Sequence, residues 1–193
     1  MPRKKEFNPE MALEKAMYYF WKNGFENTSI RSLISSTGVN FYGLYSALGD
    51  KKGIYLKALD KYIELYVEAL LSHSNETQDI PSVVKSVFEH IACTLNEKCA
   101  DAGCMVCNAA VEVAAEDVDV AFRVQRHRQL IEQFWCDLLN QQSNSLDQKK
   151  LSQCSEFLCT QLYGMAMLIR SKSDTALINR HIDTSALLVD SLL

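Results

Sequence analysis

Two cysteines three residues apart carry the most specific reactive chemistry in this sequence. Cys104 and Cys107 fall within the run Gly103–Asn108, and Cys104 lies just inside a predicted helix start. A helix N-terminus lowers the pKa of a thiol, and helix geometry places both residues on one face, about 5 Å apart between Cα atoms. The pair is a candidate thiol sensor, in which Cys104 reacts with an oxidant or electrophile and Cys107 resolves the product. Alternatively, both cysteines continue an apolar stripe with Val111 and Ala114 and are core residues.

Other catalytic or metal-binding patterns are absent from the sequence. A single Cys-x-x-Cys lacks a second ligand pair, and His73, His90 and His127 have no ligand-like spacing to it, so no metal site is predicted. Neither a Ser-His-Asp order nor a phosphate-binding glycine loop is present, and no cofactor is expected. We therefore predict that the protein is not an enzyme. A thiol redox protein is a weaker alternative, because the pair lacks the strand–helix setting of a thioredoxin.

Cysteine usage and hydropathy indicate a cytoplasmic protein. The seven cysteines form no regular framework, and such thiols are expected to remain mostly reduced in the cytosol. The sequence lacks a run of about 18 apolar residues, the length that crosses a bilayer, so no membrane partner is expected. Its N-terminus is charged and has no apolar run typical of a signal peptide.

Charge is divided unevenly along the chain. Residues 1–62 carry ten basic and six acidic side chains, a net charge of +4, whereas residues 63–193 carry ten and eighteen, a net charge of −8. A basic N-terminal part on an acidic body is typical of a phosphate-binding module joined to a separate sensor. A further basic cluster in the acidic part is expected on a solvated helix face; it comprises Arg123, Arg126, His127 and Arg128.

Start and stop signals divide the chain into amphipathic helices, and no strand alternation is sustained. Asn8–Glu10 begins the first helix and Gly24 ends it. Thr28 is predicted to cap a short second helix, and a third runs from about Val39 to Ala47. The tight turn at Ser36–Gly38 between two short helices is typical of a helix-turn-helix.

Longer helices are predicted after this N-terminal unit. Asp50 caps a fourth helix to about residue 72, and a capping box over Ser145–Gln148 begins a later one. The predicted helices beyond residue 72 cover about 82–99, 103–115, 117–142, 147–171 and 174–192. The expected fold class is therefore all-α, with a three-helix helix-turn-helix domain at residues 1–50 and a helical domain at residues 51–193.

Between residues 24 and 57, five short motifs follow one another in a characteristic order. They are Gly24-Phe25, a helix start at Thr28, Thr37-Gly38-Val39-Asn40, Leu44-Tyr45 and Gly49-Asp50-Lys51. In this order and spacing they resemble the DNA-binding domain of the TetR family. The rest of the chain matches that family only in length and helical character. The sequence departs from the family pattern at Phe41-Tyr42, Ser46-Ala47 and Leu48. The operator sequence therefore cannot be inferred.

The resemblance implies that the second helix of the helix-turn-helix lies in the major groove of duplex DNA. Asn40 could cap that helix or bond a phosphate or base edge, and Phe41 could contact a thymine methyl. Packing against the first helix is the alternative for Phe41 and Tyr42. Tyr45 is expected to donate its hydroxyl to a phosphate, and free N–H groups at a helix start suit another. The candidate DNA contacts are Thr28, Ser29, Arg31, Asn40, Phe41, Tyr42, Tyr45, Ser46, Lys51 and Lys52.

The resemblance also implies that residues 51–193 bind a small ligand and dimerise through the last two helices. An apolar stripe supports dimerisation, because its members recur at spacings of three and four; they are Leu151, Cys154, Leu158, Leu162, Met165 and Ile169. The alternative is that the stripe is intrachain core.

The predicted function is a homodimeric DNA-binding repressor. An unidentified small-molecule inducer or a thiol-reactive signal would release it from a palindromic double-stranded operator. The fourth helix joins the two domains, so a ligand that moves it would shift the population toward a state that no longer fits DNA. The alternatives are a sensor with weak or lost DNA binding and, less favoured, a thiol redox protein.

Overall fold

The structure is a computed structural model that describes residues 7–71, 79–142 and 147–192. Within these ranges the chain forms nine α-helices and no strand, which confirms the predicted all-α class. The helices are α1 (Pro9–Asn23), α2 (Ile30–Thr37), α3 (Phe41–Leu48), α4 (Lys51–Leu71), α5 (Ile80–Lys98), α6 (Met105–Glu112), α7 (Val118–Gln142), α8 (Gln148–Arg170) and α9 (Thr175–Leu192). None of the described helices is long and apolar enough to cross a membrane.

Capping side chains begin the first helices close to the predicted positions. The Asn8 carboxamide oxygen accepts the N–H of Glu10 at 2.9 Å, so the predicted start of α1 is confirmed. The predicted cap of α2 is wrong by one residue. Ser29, rather than Thr28, accepts the N–H of Ser32 at 3.1 Å, and the Ser32 hydroxyl in turn accepts the N–H of Ser29.

The helices α1–α3, which we call the head, pack around a small aromatic and aliphatic core. Phe20 of α1 meets Tyr55 of α4 edge-on, with ring centroids 4.9 Å apart. Leu33 of α2 and Leu44 of α3 are buried in the same core. Full burial of one such side chain stabilises the fold by roughly 1.5–3 kcal/mol. Because α4 packs on α1 and continues into the other helices, a domain boundary at residue 50 stays a prediction.

The helices α5–α9, which we call the body, form a bundle in which α8 packs against both α7 and α9. The prediction that the α8 stripe forms the dimer contact is wrong, because its side chains are at most 5% exposed within a single chain and have no area left to bury against a partner. Its members are Leu151, Cys154, Leu158, Leu162, Met165 and Ile169. At the start of α8, Asp147 is the N-cap without a side-chain hydrogen bond, and Ser145 of the predicted capping box lies outside the described residues.

Candidate DNA interface and thiol pair

The outer face of α3 presents aromatic rings to solvent. Phe41, Tyr42 and Tyr45 are 43%, 83% and 42% exposed. The Phe41 ring centroid lies 5.7 Å from that of Tyr42 and 4.8 Å from that of Tyr45. The alternative in which Phe41 and Tyr42 pack against α1 is therefore wrong for both residues. Their exposure leaves them available for contact with DNA, and that contact stays a prediction.

Polar contacts at both ends of α3 hold this face in place. At the N-terminus, the Asn40 carboxamide oxygen accepts the N–H of Gly43 at 2.8 Å, so Asn40 serves as the N-cap. At the C-terminus, Lys57 Nζ of α4 donates to the carbonyl of Leu48 at 2.9 Å, where the helix dipole favours a cation. The sequence gives no signal for this role of Lys57, because the contact depends on how α4 folds back on α3. Ser46 is exposed on α3 and remains a candidate DNA contact.

The start of α2 offers fewer DNA contacts than predicted. Thr28 is only 1% exposed, and its hydroxyl donates to the carbonyl of Gly24 at 2.6 Å. The predicted phosphate contact of Thr28 is therefore wrong, because the hydroxyl is already paired inside the head. Ser29 and Arg31 are exposed, and their DNA contacts stay predictions.

The two lysines that begin α4 have different surroundings. Lys51 Nζ lies 4.1 Å from the centroid of the Phe25 ring, a cation–π contact within the head. Lys52 Nζ lies 2.8 Å from a carboxylate oxygen of Asp117 and 2.8 Å from one of Asp119. Hydrogen bonds to these carboxylates raise the pKa of Lys52. Lys52 thus joins the start of α4 to the start of α7, and the phosphate contacts of Lys51 and Lys52 both stay predictions.

Cys104 and Cys107 come together at the start of α6. Cys104 is the N-cap and is 5% exposed, while Cys107 is half-buried. A hydrogen bond from the Cys107 thiol lowers the pKa of Cys104 to about 7, opposed by burial and assisted by the Tyr62 hydroxyl and the N–H groups of Val106 and Cys107. The same hydrogen bond raises the pKa of Cys107. Of the two thiols, Cys104 is therefore the one whose thiolate is favoured, and the helix N-terminus contributes less than the neighbouring side chains.

The thiol pair lies between a small pocket and a larger groove. Cys104 lines a pocket of about 40 Å³ among α4, α5, α7 and α8, together with Tyr62, His90 and His127. Cys107 lines a groove of about 500 Å³ bounded by α6, α8 and the loop after α1. The larger space therefore borders Cys107, the more exposed of the two thiols.

The basic cluster of α7 is divided between the core and the surface. His127 is 3% exposed, its Nδ1 lies 2.9 Å from the Tyr163 hydroxyl, and burial lowers its pKa to about 4. The expected solvated position is therefore wrong for His127. Arg126 and Arg128 are exposed, as expected. Arg123 forms an ion pair with Asp60 of α4 at 2.8 Å.

A helix-turn-helix head with an exposed aromatic helix, joined through a long helix to a helical body, defines a class of DNA-binding transcriptional regulators. No protein-family model matches the chain. The chain is 32% identical over 141 residues to the HTH-type transcriptional repressor ComR of Escherichia coli, a match that covers 69% of this chain and 66% of ComR. It is 24% identical over 194 residues to YezE of Bacillus subtilis, an uncharacterized HTH-type transcriptional regulator. That match covers 98% of this chain and 100% of YezE.

Solved structures of similar chains share the whole fold. The TetR family regulator CifR, a cysteine mutant complexed with 26-bp double-strand operator DNA, matches with a TM-score of 0.79 at 19% identity, over 97% of this chain and 98% of CifR. The reduced form of Escherichia coli NemR matches with a TM-score of 0.76 at 15% identity, over 95% of each chain. The chain belongs to the TetR family of transcriptional regulators. The relatives named here are regulators and not enzymes.

Proposed function

We propose that this protein is a homodimeric repressor that binds a palindromic operator through α3 of each subunit. The observation that carries the proposal is the exposed aromatic face of α3, where Tyr42 is 83% exposed on a helix whose opposite face is buried. Clusters of large apolar rings are rarely left exposed to water on a soluble protein, and where they are exposed they often mark an interaction site. Base edges and thymine methyl groups in the major groove provide matching polar and apolar contacts.

Exposed apolar side chains on the last two helices support the dimer. They lie outside the buried α8 stripe and are Met167, Leu177, Leu187, Leu188 and Leu192. Burying this face against the same face of a second copy would form a two-fold symmetric interface. A two-fold axis would present two identical heads to half-sites about 34 Å apart, which is one turn of DNA.

The proposed inducing signal is a thiol-reactive compound that acts on Cys104 and Cys107. The lowered pKa of Cys104 increases the fraction that is nucleophilic thiolate at neutral pH. Hydrogen peroxide would convert this thiolate to a sulfenic acid and release hydroxide. The Cys107 thiol would then condense with the sulfenic acid to form a disulfide and release water. A noncovalent inducer in the body is the second candidate, and the groove of about 500 Å³ beside Cys107 and Tyr163 supports it.

Selection from a random duplex pool, followed by fluorescence anisotropy, tests DNA binding. The proposal expects a palindromic consensus, and it expects Tyr42→Ala to bind a changed consensus. Tyr19→Phe is the matched control, because Tyr19 is only partly buried and lies on α1, outside the proposed reading helix. Failure of the wild-type protein to enrich any sequence would contradict the proposed function.

Peroxide-induced release from the selected operator tests the thiol signal. Wild type should release DNA, and Cys104→Ser and Cys107→Ser should hold it. Cys93→Ser is the matched control. Cys93 is exposed, but its hydrogen bond to Glu97 raises its pKa, so this variant should respond as wild type does. Wild-type protein that keeps its operator under peroxide would exclude the thiol signal and leave a noncovalent inducer.

A further inference from the structure

Glu112, the last residue of α6, forms hydrogen bonds with the head although its partners lie 86 and 87 residues away in the chain. One carboxylate oxygen accepts the N–H of Phe25 at 2.9 Å, and the other accepts the N–H of Glu26 at 2.8 Å. These N–H groups belong to the turn that follows α1 and precedes α2. Hydrogen bonds from N–H groups to an ionised carboxylate are roughly twice as strong as neutral ones. A single side chain of the body therefore holds the turn that orients the head.

Gly24 shows how closely the Glu112 carboxylate lies against this turn. A Cβ atom at Gly24 would stand 2.7 and 2.8 Å from the two carboxylate oxygens, closer than real Cβ contacts come. Gly24 also has a φ of +81°, in the region that favours glycine. Glycine is therefore required here both by the backbone conformation and by the space that the carboxylate occupies.

Two other contacts fasten the same segment of the body to elements of the head and to α4. Before α6, the Trp21 indole N–H of α1 donates to the carbonyl of Gly103 at 2.7 Å in a buried hydrogen bond. After α6, Lys52 at the start of α4 pairs with Asp117 and Asp119. The segment is thus held on both sides of α6, and the carboxylate contact lies between these two points. Rotation of the head on the body requires that these contacts break or shift together.

We propose that Glu112 is a positioning residue for DNA binding, which sets the angle of the head on the body and hence the spacing of the two α3 helices in the dimer. This inference rests on the proposed function as a dimeric operator-binding protein. Both heads must meet half-sites at a defined separation, so freedom at the turn after α1 weakens simultaneous binding. Glu112 acts through backbone N–H groups of the head and contributes no phosphate contact of its own. Cys104 and Glu112 lie at opposite ends of the same short helix, so a shift of α6 caused by a covalent change at the thiol pair would reach this contact.

Operator affinity of Glu112→Ala and Glu112→Gln tests the positioning role, with Glu116→Ala as the matched control. Glu116 is an exposed acidic residue in the turn after α6. Glu112→Ala should bind the selected operator about 10-fold or more weakly, as expected for loss of charge-assisted hydrogen bonds. The dependence of affinity on salt should not change, because no phosphate contact is lost. Glu112→Gln, which retains one acceptor oxygen, should fall between wild type and Glu112→Ala, and Glu116→Ala should bind as wild type does.

Operators whose half-sites are moved apart by one base pair separate positioning from a loss of stability. Wild type should discriminate sharply between the original and the widened operator. Glu112→Ala should lose much of this discrimination, whereas a protein that is merely less stable loses affinity for both operators equally. Circular dichroism confirms folding, and Glu112→Gln replaces the alanine variant if that one does not fold.

Three results would overturn the positioning role while wild type binds its operator: unchanged affinity in Glu112→Ala, an equal loss on both operators, or an equal loss in Glu116→Ala. Absence of any specific binding by wild type would overturn the proposed function, and this inference with it. The two failures are therefore distinguishable in the same experiment.

Discussion

Replacing Cys107 with alanine removes the S–H group that lowers the pKa of Cys104 most. In wild type that pKa is about 7, against an ordinary value of 9.0. Without the Cys107 hydrogen bond, burial becomes the largest remaining influence, and we expect the pKa of Cys104 to rise. Each unit of rise lowers the thiolate fraction at pH 7 by up to about tenfold. Since the thiolate is the reactive form, alkylation of Cys104 should slow about 10-fold or more.

Alkylation by iodoacetamide across a pH series, read residue by residue by mass spectrometry, measures this change. The midpoint for Cys104 should lie near pH 7 in wild type and at a higher pH in Cys107→Ala. Cys107→Ser is the matched control, because its hydroxyl can still donate to the thiolate, and its midpoint should shift less. Cys93, an exposed thiol, serves as the reference in each sample. The same Cys104 midpoint in wild type and Cys107→Ala would refute the assignment of Cys107 as the main cause.

Tyr42→Ala is expected to change the selected sequence with an unchanged salt slope, whereas Arg31→Ala should weaken binding to all duplexes and lower the slope by about one phosphate contact. Selection and salt titration compare the two variants, and an Arg31→Ala protein with altered sequence preference and a wild-type salt slope would indicate that Arg31 contacts bases rather than phosphate. In the folded protein the pKa of His127 is about 4, below its ordinary value of 6.5, because the buried ring disfavours the charged form. The contribution of His127 to the free energy of unfolding is therefore fully present at neutral pH and is lost as the pH falls. Urea unfolding should show a loss of about 2 kcal/mol between pH 7 and pH 5, most of which His127→Gln removes; an equal loss in that variant would assign the effect to another group. Leu187→Glu should raise the dimer dissociation constant about 10-fold or more in analytical ultracentrifugation, and an unchanged constant would place the interface elsewhere.

Local signals in the sequence were sufficient for the helices and for the exposed face of α3. Asn8 was identified as a cap because capping joins a side chain to a backbone N–H only two or three residues away. The sequence does not distinguish Thr28 from Ser29 as the cap of α2, because both residue types cap helices and nothing local reveals that the Thr28 hydroxyl is paired with a carbonyl. Helical periodicity likewise placed Tyr42 on the outer face of the predicted reading helix, and the structure leaves it exposed.

Contacts between residues far apart in the chain were decided by tertiary structure alone. The α8 stripe has the same spacing whether it faces a second chain or its own core, and only the packing of α7 and α9 against α8 buries it. Lys52 has the sequence position of a phosphate contact, yet the folded chain brings Asp117 and Asp119 to its ammonium group. Glu112 has no sequence signal, because its partners lie 86 and 87 residues away. A sequence pattern determines which face of a helix is apolar or charged, but what covers that face depends on the elements that the rest of the chain packs against it.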